Sequence, residues 1–307
     1  MAKYLVRLHF AGFLRIGSLR GELEQVSEFP YANTLLGGLG NCASKLFPKE
    51  IVTDFLSDIA ISSLLPGLYK NKNGKESPIP VYMVPRPFVM PRKVNENPIL
   101  RKKIKKQKYV IIEEYKIWKN LEDIKDIKTW DNVSIANVTL DRKTNSSIPY
   151  YKEVIRFEDD FGYFIVEFND KYEKVFDASL RLLADEGIGS ERSVGGGAFT
   201  FEKEKYSQTP FSKLTGNYSM VLGEYLPKNE EIEKINTSSF YSLLTYRGWV
   251  DGYSVLKPDC TMLSPGSIFA FRPSGRDIFW TTPELDYPII FKGKAISIPF
   301  DWGENNA

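Results

Sequence analysis

Gly187 to Gly197 packs five glycines, two serines and Arg192 into eleven residues. Glycine tolerates positive φ and close approach of a ligand, and successive backbone amides can converge on an anion. The chemistry this suggests is binding of a phosphate backbone. Nucleotide hydrolysis is disfavoured. A Walker loop follows a strand, opens a helix and carries Gly-Lys-Ser/Thr, whereas this segment follows a helical pattern and opens a strand. The bland alternative is a flexible turn. The single histidine, His9, alternates with Arg7 and Lys3 on one side of an extended stretch. A lone histidine is usually structural. The sharper reading is a general acid or base in metal-free RNA cleavage, which needs a second proton-transfer group that the sequence does not place beside it.

One histidine also removes His-rich metal sites and argues against a Ser-His-Asp apparatus. Cys42 and Cys260 stand far apart in no metal-like spacing, so two buried, reduced thiols are expected and no cofactor or metal. Residues 86–108 hold nine Lys or Arg against one acid, Glu96, with the densest part at 101–108. Such a run is either a solvated surface or a nucleic-acid contact. Arg142 and Lys143 sit in a polar stretch, 141–147, between two extended segments, as either an ordinary turn or a finger laid across a nucleic acid. The pairs Asp159-Asp160 and Glu230-Glu231 read as solvated charge.

The elements that must position these residues are read from pattern. Residues 3–10 alternate, with Tyr4, Val6, Leu8 and Phe10 on one side and Lys3, Leu5, Arg7 and His9 on the other, which predicts a half-buried strand. A loop over 11–31 leads to a helix capped by Asn33 or Thr34 and running to about Phe47. Gly37, Gly38 and Gly40 inside it cost roughly 1 kcal/mol each against alanine, which implies something packed very close. Strands are expected at 58–65, 133–140, 152–157, 162–168 and 198–205, an edge-like extended stretch at 78–87, and a helix at 172–185. The second half reads as strands at 218–222, 244–250, 267–271 and 295–300, with 230–244 partly helical. A boundary falls at Gln208-Thr209-Pro210. The 307 residues, 42% apolar and 26% charged, can build a sizeable core over one or two domains. No stretch reaches the roughly 18 apolar residues of a membrane span, and Arg7 and His9 interrupt any leader-like start, so a soluble cytoplasmic protein is expected. A net charge of +2 says little about partners.

The run from Gly187 to Phe199, after Leu182-Leu183-Ala184-Asp185, resembles the C-terminal glycine loop of the RAMP superfamily of CRISPR proteins. Leu8-His9-Phe10 with Phe29 to Leu39 looks like that family's first strand and glycine-rich first helix. Ile61 to Pro66, Tyr82 to Pro87 and Thr139 to Thr144 look like three further family strands and hairpins, and Tyr246 to Val250, Ser264 to Ser267 and Tyr287-Pro288 continue the match. The resemblance covers nearly the whole chain. It is strongest to the Csm-type subunit that caps the 5′ end of the guide RNA in type III-A effector complexes. Two departures stand out. Ser190-Glu191 occupy positions where the family often has Gly-Lys, and Arg15 precedes Ile16-Gly17 where many members place a histidine.

The resemblance implies an α+β chain of two tandem ferredoxin-like (RRM-like, βαββαβ) domains, 1–208 and 209–307. The first would carry a basic insertion at about 70–130, a thumb-like hairpin at about 133–157 and the glycine loop at 187–197. It implies a non-catalytic subunit that holds the repeat-derived 5′ tag of crRNA, docks on the large polymerase-like subunit and contacts a backbone RAMP subunit, with no membrane. The expected RNA-binding residues are Arg7 and His9 on an open sheet face, Arg15 and Ser18 in the first loop, and Asn33, Thr34 and Gly37 on the first helix. Arg142 and Lys143 on the hairpin tip join them, as do Gly187, Ile188, Gly189, Ser190, Arg192, Ser193, Gly195, Gly196 and Gly197. The alternatives are a metal-independent precursor-RNA endonuclease using His9, and a protein-interaction scaffold without specific RNA binding.

Overall fold

The computed structural model describes residues 1–17, 26–27, 29–70, 77–125, 127, 129–141, 143, 146–235, 238–250, 255–285 and 287–303. Residues 2–10 alternate apolar groups on both sides, and they form the inner strand β1 (Ala2–Phe10). Val6 and Leu8 are fully buried on one side, with Leu5 on the other. The first half continues through α1 (Ala32–Leu46), α2 (Lys49–Asp58), β2 (Leu65–Lys70), β3 (Ile79–Pro85), α3 (Pro98–Lys106), β4 (Tyr109–Ile111), the hairpin strands β5 (Asp131–Leu140) and β6 (Ser147–Arg156), β7 (Phe161–Phe168), α4 (Glu173–Glu186) and β8 (Phe199–Lys205). The main sheet runs β8-β1-β7-β2-β3-β4, antiparallel throughout, and Ala60–Ile61 also pairs with β7. Setting aside the insertion and the hairpin, the chain visits this sheet in the order β-α-β-β-α-β.

Helices α1 and α4 cover one face. Leu35, Leu36 and Leu39 meet Phe176, Leu180 and Leu183 over Val6, Leu8, Phe164 and Val166. The other face was expected to be open, and the structure corrects this. Leu5, Tyr163 and Ile165 are roofed by Phe211, Met220, Leu222, Ile298 and Phe300 from the second half. Apolar strand residues on both faces demand two covers, and the second half supplies the second one.

That half does not repeat the first. Strands Tyr218–Val221, Ile268–Phe269 and Ser297–Phe300 form one small sheet, and Leu243–Tyr246 pairs with Cys260–Leu263 and Ile278–Trp280 with Ile289–Phe291. Its α-helix among the described residues is Asn229–Ile232, at the start of the stretch 230–244 expected to be partly helical. The expected second βαββαβ unit is therefore not drawn by these elements.

Two buried polar joints tie the halves together. The Glu224 carboxylate accepts from the Ala32 and Asn33 amides (2.8 and 3.2 Å), the Asn33 side chain (3.0 Å) and the Ser63 hydroxyl (3.2 Å). It thus caps α1, whose own Tyr31 offers no side-chain cap, in place of the expected Asn33 or Thr34. The Lys292 ammonium donates to Leu56 O at the end of α2 (2.9 Å) and pairs with Asp277 at 2.7 Å. Burial pushes Lys292 down to about 8 despite that partner.

Several boundaries also differ. β2 begins where the expected strand at 58–65 ends, and Pro66-Gly67 lie inside it. β3 is not an edge, because its residues 83–85 pair with β4 on the far side. The basic run is helical: Asn97 caps α3 by accepting from the amides of Ile99 and Leu100, Pro98 fits its first turn, and Ile104 anchors it in the core.

Candidate nucleic-acid interface

The glycine loop divides into a buried floor and an exposed crest. Gly187, Ile188, Gly196 and Gly197 are buried, while Gly189, Arg192, Ser193 and Gly195 are exposed. The amides of Ile188, Gly195, Gly196 and Gly197 donate to Gly197, Arg192, Glu191 and Phe13 carbonyls, and that of Ser190 to Arg15. The expectation that amides along the whole segment cradle phosphate is therefore corrected. These amides close the loop on itself and onto Phe13 and Arg15. Ile188 is a core residue at 3% exposure, not a surface contact.

Arg15 is likewise corrected. It is buried, its Nη1 donates to Ser190 Oγ at 3.0 Å, and its carbonyl accepts from the Ser190 amide at 2.8 Å. It clamps the loop to the first strand region and does not present a surface cation. Ser190 is spent in the same clamp. The crest keeps Arg192, 37% exposed at the side chain and 3.9 Å from Glu186. Around it lie Lys45, paired with Glu186 at 2.7 Å, and Lys152 of β6, paired with Glu191 at 2.7 Å. The bond to Glu191 raises the Lys152 pKa. Glu191, the departure from the family pattern, is thus neutralised by the hairpin. A shallow depression results, lined by Lys45, Arg192, Ser190 and Ser193 and by the paired carboxylates Glu186 and Glu191. Lys45 and Lys152 were missed, because neither lies near the loop in sequence.

The hairpin β5/β6 is paired along its full length, from Asp131↔Arg156 to Leu140↔Ser147. The tip half of both strands is largely exposed. Lys143 is exposed at the tip, where its amide bonds Asp141 at 2.8 Å. Arg142 and Ser18 lie outside the described residues.

Arg7 and His9 are not on an open face. Arg7 donates to Tyr82 Oη (2.8 Å), Glu204 (3.0 Å) and Glu202 (2.6 Å). His9 stacks on Tyr69, rings 6.0 Å apart and 9° from parallel, with Nε2 3.5 Å from Glu202. Desolvation lowers the His9 pKa against the pull of Glu202. Two carboxylates consume the positive charge meant for RNA. The structure gives His9 the neighbours that sequence could not: Tyr69 and Phe161 against its ring and the Glu202 carboxylate at Nε2.

Asn33 is also withdrawn from the surface. It is 5% exposed and exchanges bonds with the Lys292 backbone (3.0 and 2.7 Å) besides Glu224. The Thr34 hydroxyl meets Tyr246. Gly37 alone of the three helix-1 positions is exposed, and a Cβ there would meet nothing within 4 Å. The surviving surface set is the crest around Arg192, Gly37 and the hairpin tip.

Residues 16–200 match the family model of the RAMP superfamily, and residues 214–300 that of the CRISPR Csm4 C-terminal domain. Two curated relatives, each named CRISPR system Cms protein Csm4, are 26% identical. The match to that of Thermococcus onnurineus covers 81% of this chain and 85% of the relative, and to that of Methanocaldococcus jannaschii 93% and 94%. A solved Csm3-Csm4 subcomplex of the type III-A CRISPR-Cas interference complex contains a chain with TM-score 0.63 and 19% identity, covering 98% of this chain and all of that one. A Csm1-Csm4 cassette in complex with cA4 gives TM-score 0.63 and 20% identity, over 98% and 99%. At that identity the likeness establishes a shared α+β fold. Among the described residues no helix is long and apolar enough to cross a membrane.

Proposed function

This chain belongs to the RAMP superfamily and is Csm4-like, and from that premise we propose that it is the non-catalytic, RNA-binding subunit of a cytoplasmic type III-A CRISPR effector complex. It caps the repeat-derived 5′ tag of crRNA, docks on the large polymerase-like subunit and abuts a backbone RAMP subunit. The observation that carries this is the joined match, RAMP over 16–200 and Csm4 over 214–300, on one chain. Both curated relatives bear the Csm4 name, and the similar solved chains sit in complexes with Csm1 and with Csm3.

The geometry supports a particular division of labour. Arg192, Ser193, Gly189 and Gly195 form the crest that meets tag phosphates, with Lys45 and Lys152 offsetting the carboxylates of Glu186 and Glu191 beside it. Lys143 on the hairpin tip lies along the guide. Arg15, Ser190, Ile188 and the floor glycines hold the crest in place.

The experiment is to purify the tagged chain from cells carrying its own CRISPR locus, sequence the RNA that co-purifies and identify the bound proteins. RNAs sharing one fixed repeat-derived 5′ end, together with a large subunit, are the expected result. Protein partners without RNA would make it a scaffold. Repeat RNA cut by the wild-type chain in EDTA, but not by His9→Ala, would make it the endonuclease.

A further inference from the structure

The basic run of the sequence found no place in the interface above, and its position in the fold gives it one. Where α3 ends, a cleft of about 260 Å³ opens to solvent between Arg86–Phe88, Tyr31 and the Ser264-Pro265 turn. Five segments of the chain build it, 29–31, 63–65, 85–88, 105–109 and 264–265. The Phe88 amide bonds Gly266 O at 3.2 Å, and a Cβ on Gly266, where φ is +93°, would come within 2.8 Å of Arg86 O. The turn is therefore seated firmly against the Arg86–Phe88 segment.

We propose that this cleft takes one nucleobase of a single-stranded RNA, splayed out of its strand, with the neighbouring phosphates lying along the basic face of α3. The inference rests on the reading of the chain as RNA-binding and adds a second, separate contact to it.

Four features carry it. The walls are aromatic: Phe88, Tyr109 and Tyr31 are half-buried there. Flat π-faces accept any base by stacking, and splayed bases are how single strands are held. Arg86 lies 5.8 Å over the Phe88 ring and donates to two carbonyls, Gln107 O and Pro87 O, both at 3.1 Å. It is a half-buried cation with no carboxylate partner among the described residues, and burial lowers its pKa. Its remaining N–H groups suit the carbonyl and ring-nitrogen acceptors of a base edge.

The approach is equally marked. Arg101, Lys102, Lys105 and Lys106 are exposed and form no ion pair among the described residues, whereas Lys103 is held by Asp123 at 2.7 Å. Arg101 and Lys105 are spaced i, i+4, so their like charges oppose each other on one helix face. A polyanion laid along that face relieves the repulsion. Lys105 and Lys108 stand at the cleft itself. An acidic peptide would use the lysines but leave the aromatic walls unfilled.

The test uses the full chain and a fluorescein-labelled single-stranded RNA of the repeat sequence, read by anisotropy. Each nucleotide is replaced in turn by an abasic unit. One position is expected to lose affinity about tenfold, the scale of one stacked base. That position's loss should vanish in Phe88→Ala. Phe88→Leu, which keeps bulk without the ring, serves if the alanine variant fails to fold. Lys105→Ala should weaken all oligonucleotides alike and flatten the salt dependence. RNA binding unchanged in Phe88→Leu and Arg86→Gln, or no position-specific loss, overturns the pocket while leaving the RNA reading intact. A wild-type chain that neither binds nor co-purifies RNA overturns both.

Discussion

Helix α1, with three glycines in fifteen residues, and the segment 187–197, with five in eleven, use glycine in opposite ways. In α1 the glycines supply room. A Cβ on Gly38 would stand 3.0 Å from Leu183 Cδ1 of α4, and one on Gly40 3.0 Å from Leu56 Cδ1 of α2. In the loop they supply conformation. Gly187, Gly189, Gly195 and Gly197 all have φ between +74° and +91°. The helix is fixed from outside by a carboxylate of the second half, while the loop is fixed by its own carbonyls and Arg15. Glycine content alone therefore says nothing about a ligand. Only the crest 189–195, where the chain is exposed and the cations gather, is left to meet one.

The largest effect should come from the outside support of α1. Glu224→Ala strips the cap from the Ala32 and Asn33 amides and leaves the Asn33 side chain and Ser63 without it. A loss of about 3 kcal/mol in urea denaturation is expected. Burial raises the Glu224 pKa above 4.5 against its hydrogen bonds. A carboxyl with a raised folded pKa binds more protons folded than unfolded. Its contribution to stability thus falls as pH climbs from 4.5 through the raised value. Glu224→Gln should remove that part of the pH dependence relative to wild type. An unchanged profile would mean the carboxylate is not held as the structure shows.

How much of this was legible in the sequence depends on the range of the interactions. The alternation of residues 3–10, the helical spacing of 172–185 and the long hairpin all came through, because period and turn chemistry are local. The faces of β1 were also assigned correctly. What failed was long-range. Nothing near residue 33 announces that Glu224, 191 residues on, will cap the helix. Nothing near Arg7 announces Glu202 and Glu204 opposite it, or that Phe211 and Leu222 will roof the sheet. The loop crest was legible as Arg192 and its glycines. Its flanking Lys45 and Lys152 were not, since only the fold brings them there.

The next effect breaks the loop's own support. Gly197→Ala drives a methyl into the Ile188 carbonyl at a φ of +74°. Two penalties add, an L-residue in the left-handed region and a backbone clash, so about 2 kcal/mol or more should be lost. Hydrogen exchange should localise the damage to 187–197 and its contact with Phe13. A neutral result would show that the glycines are not required by the loop's conformation.

Gly37→Ala tests the other half of the comparison with the opposite sign. The position is exposed and helical with nothing near the new methyl, so a gain of about 0.5–1 kcal/mol is expected. If alanine here weakens RNA binding while stabilising the chain, the bare backbone at Gly37 is itself a contact. If binding is untouched, the glycine serves neither fold nor ligand.

The smallest effect on stability belongs to the residue with the largest assigned role at the crest. Arg192 is 37% exposed, and its ion pair to Glu186, at 3.9 Å, is long. Surface pairs of that kind contribute well under about 1 kcal/mol, so Arg192→Glu should melt within about a degree or two of wild type. Its effect should appear only with RNA. Losing one phosphate contact lowers the slope of log affinity against log salt by roughly 0.7 for a single strand, uniformly across sequences. A sharp fall in melting temperature would instead place Arg192 with Arg15 in the loop's support. The crest would then shrink to Ser193 and the backbone, too little charge to hold a phosphate chain, and the basic face of α3 would become the main approach for RNA.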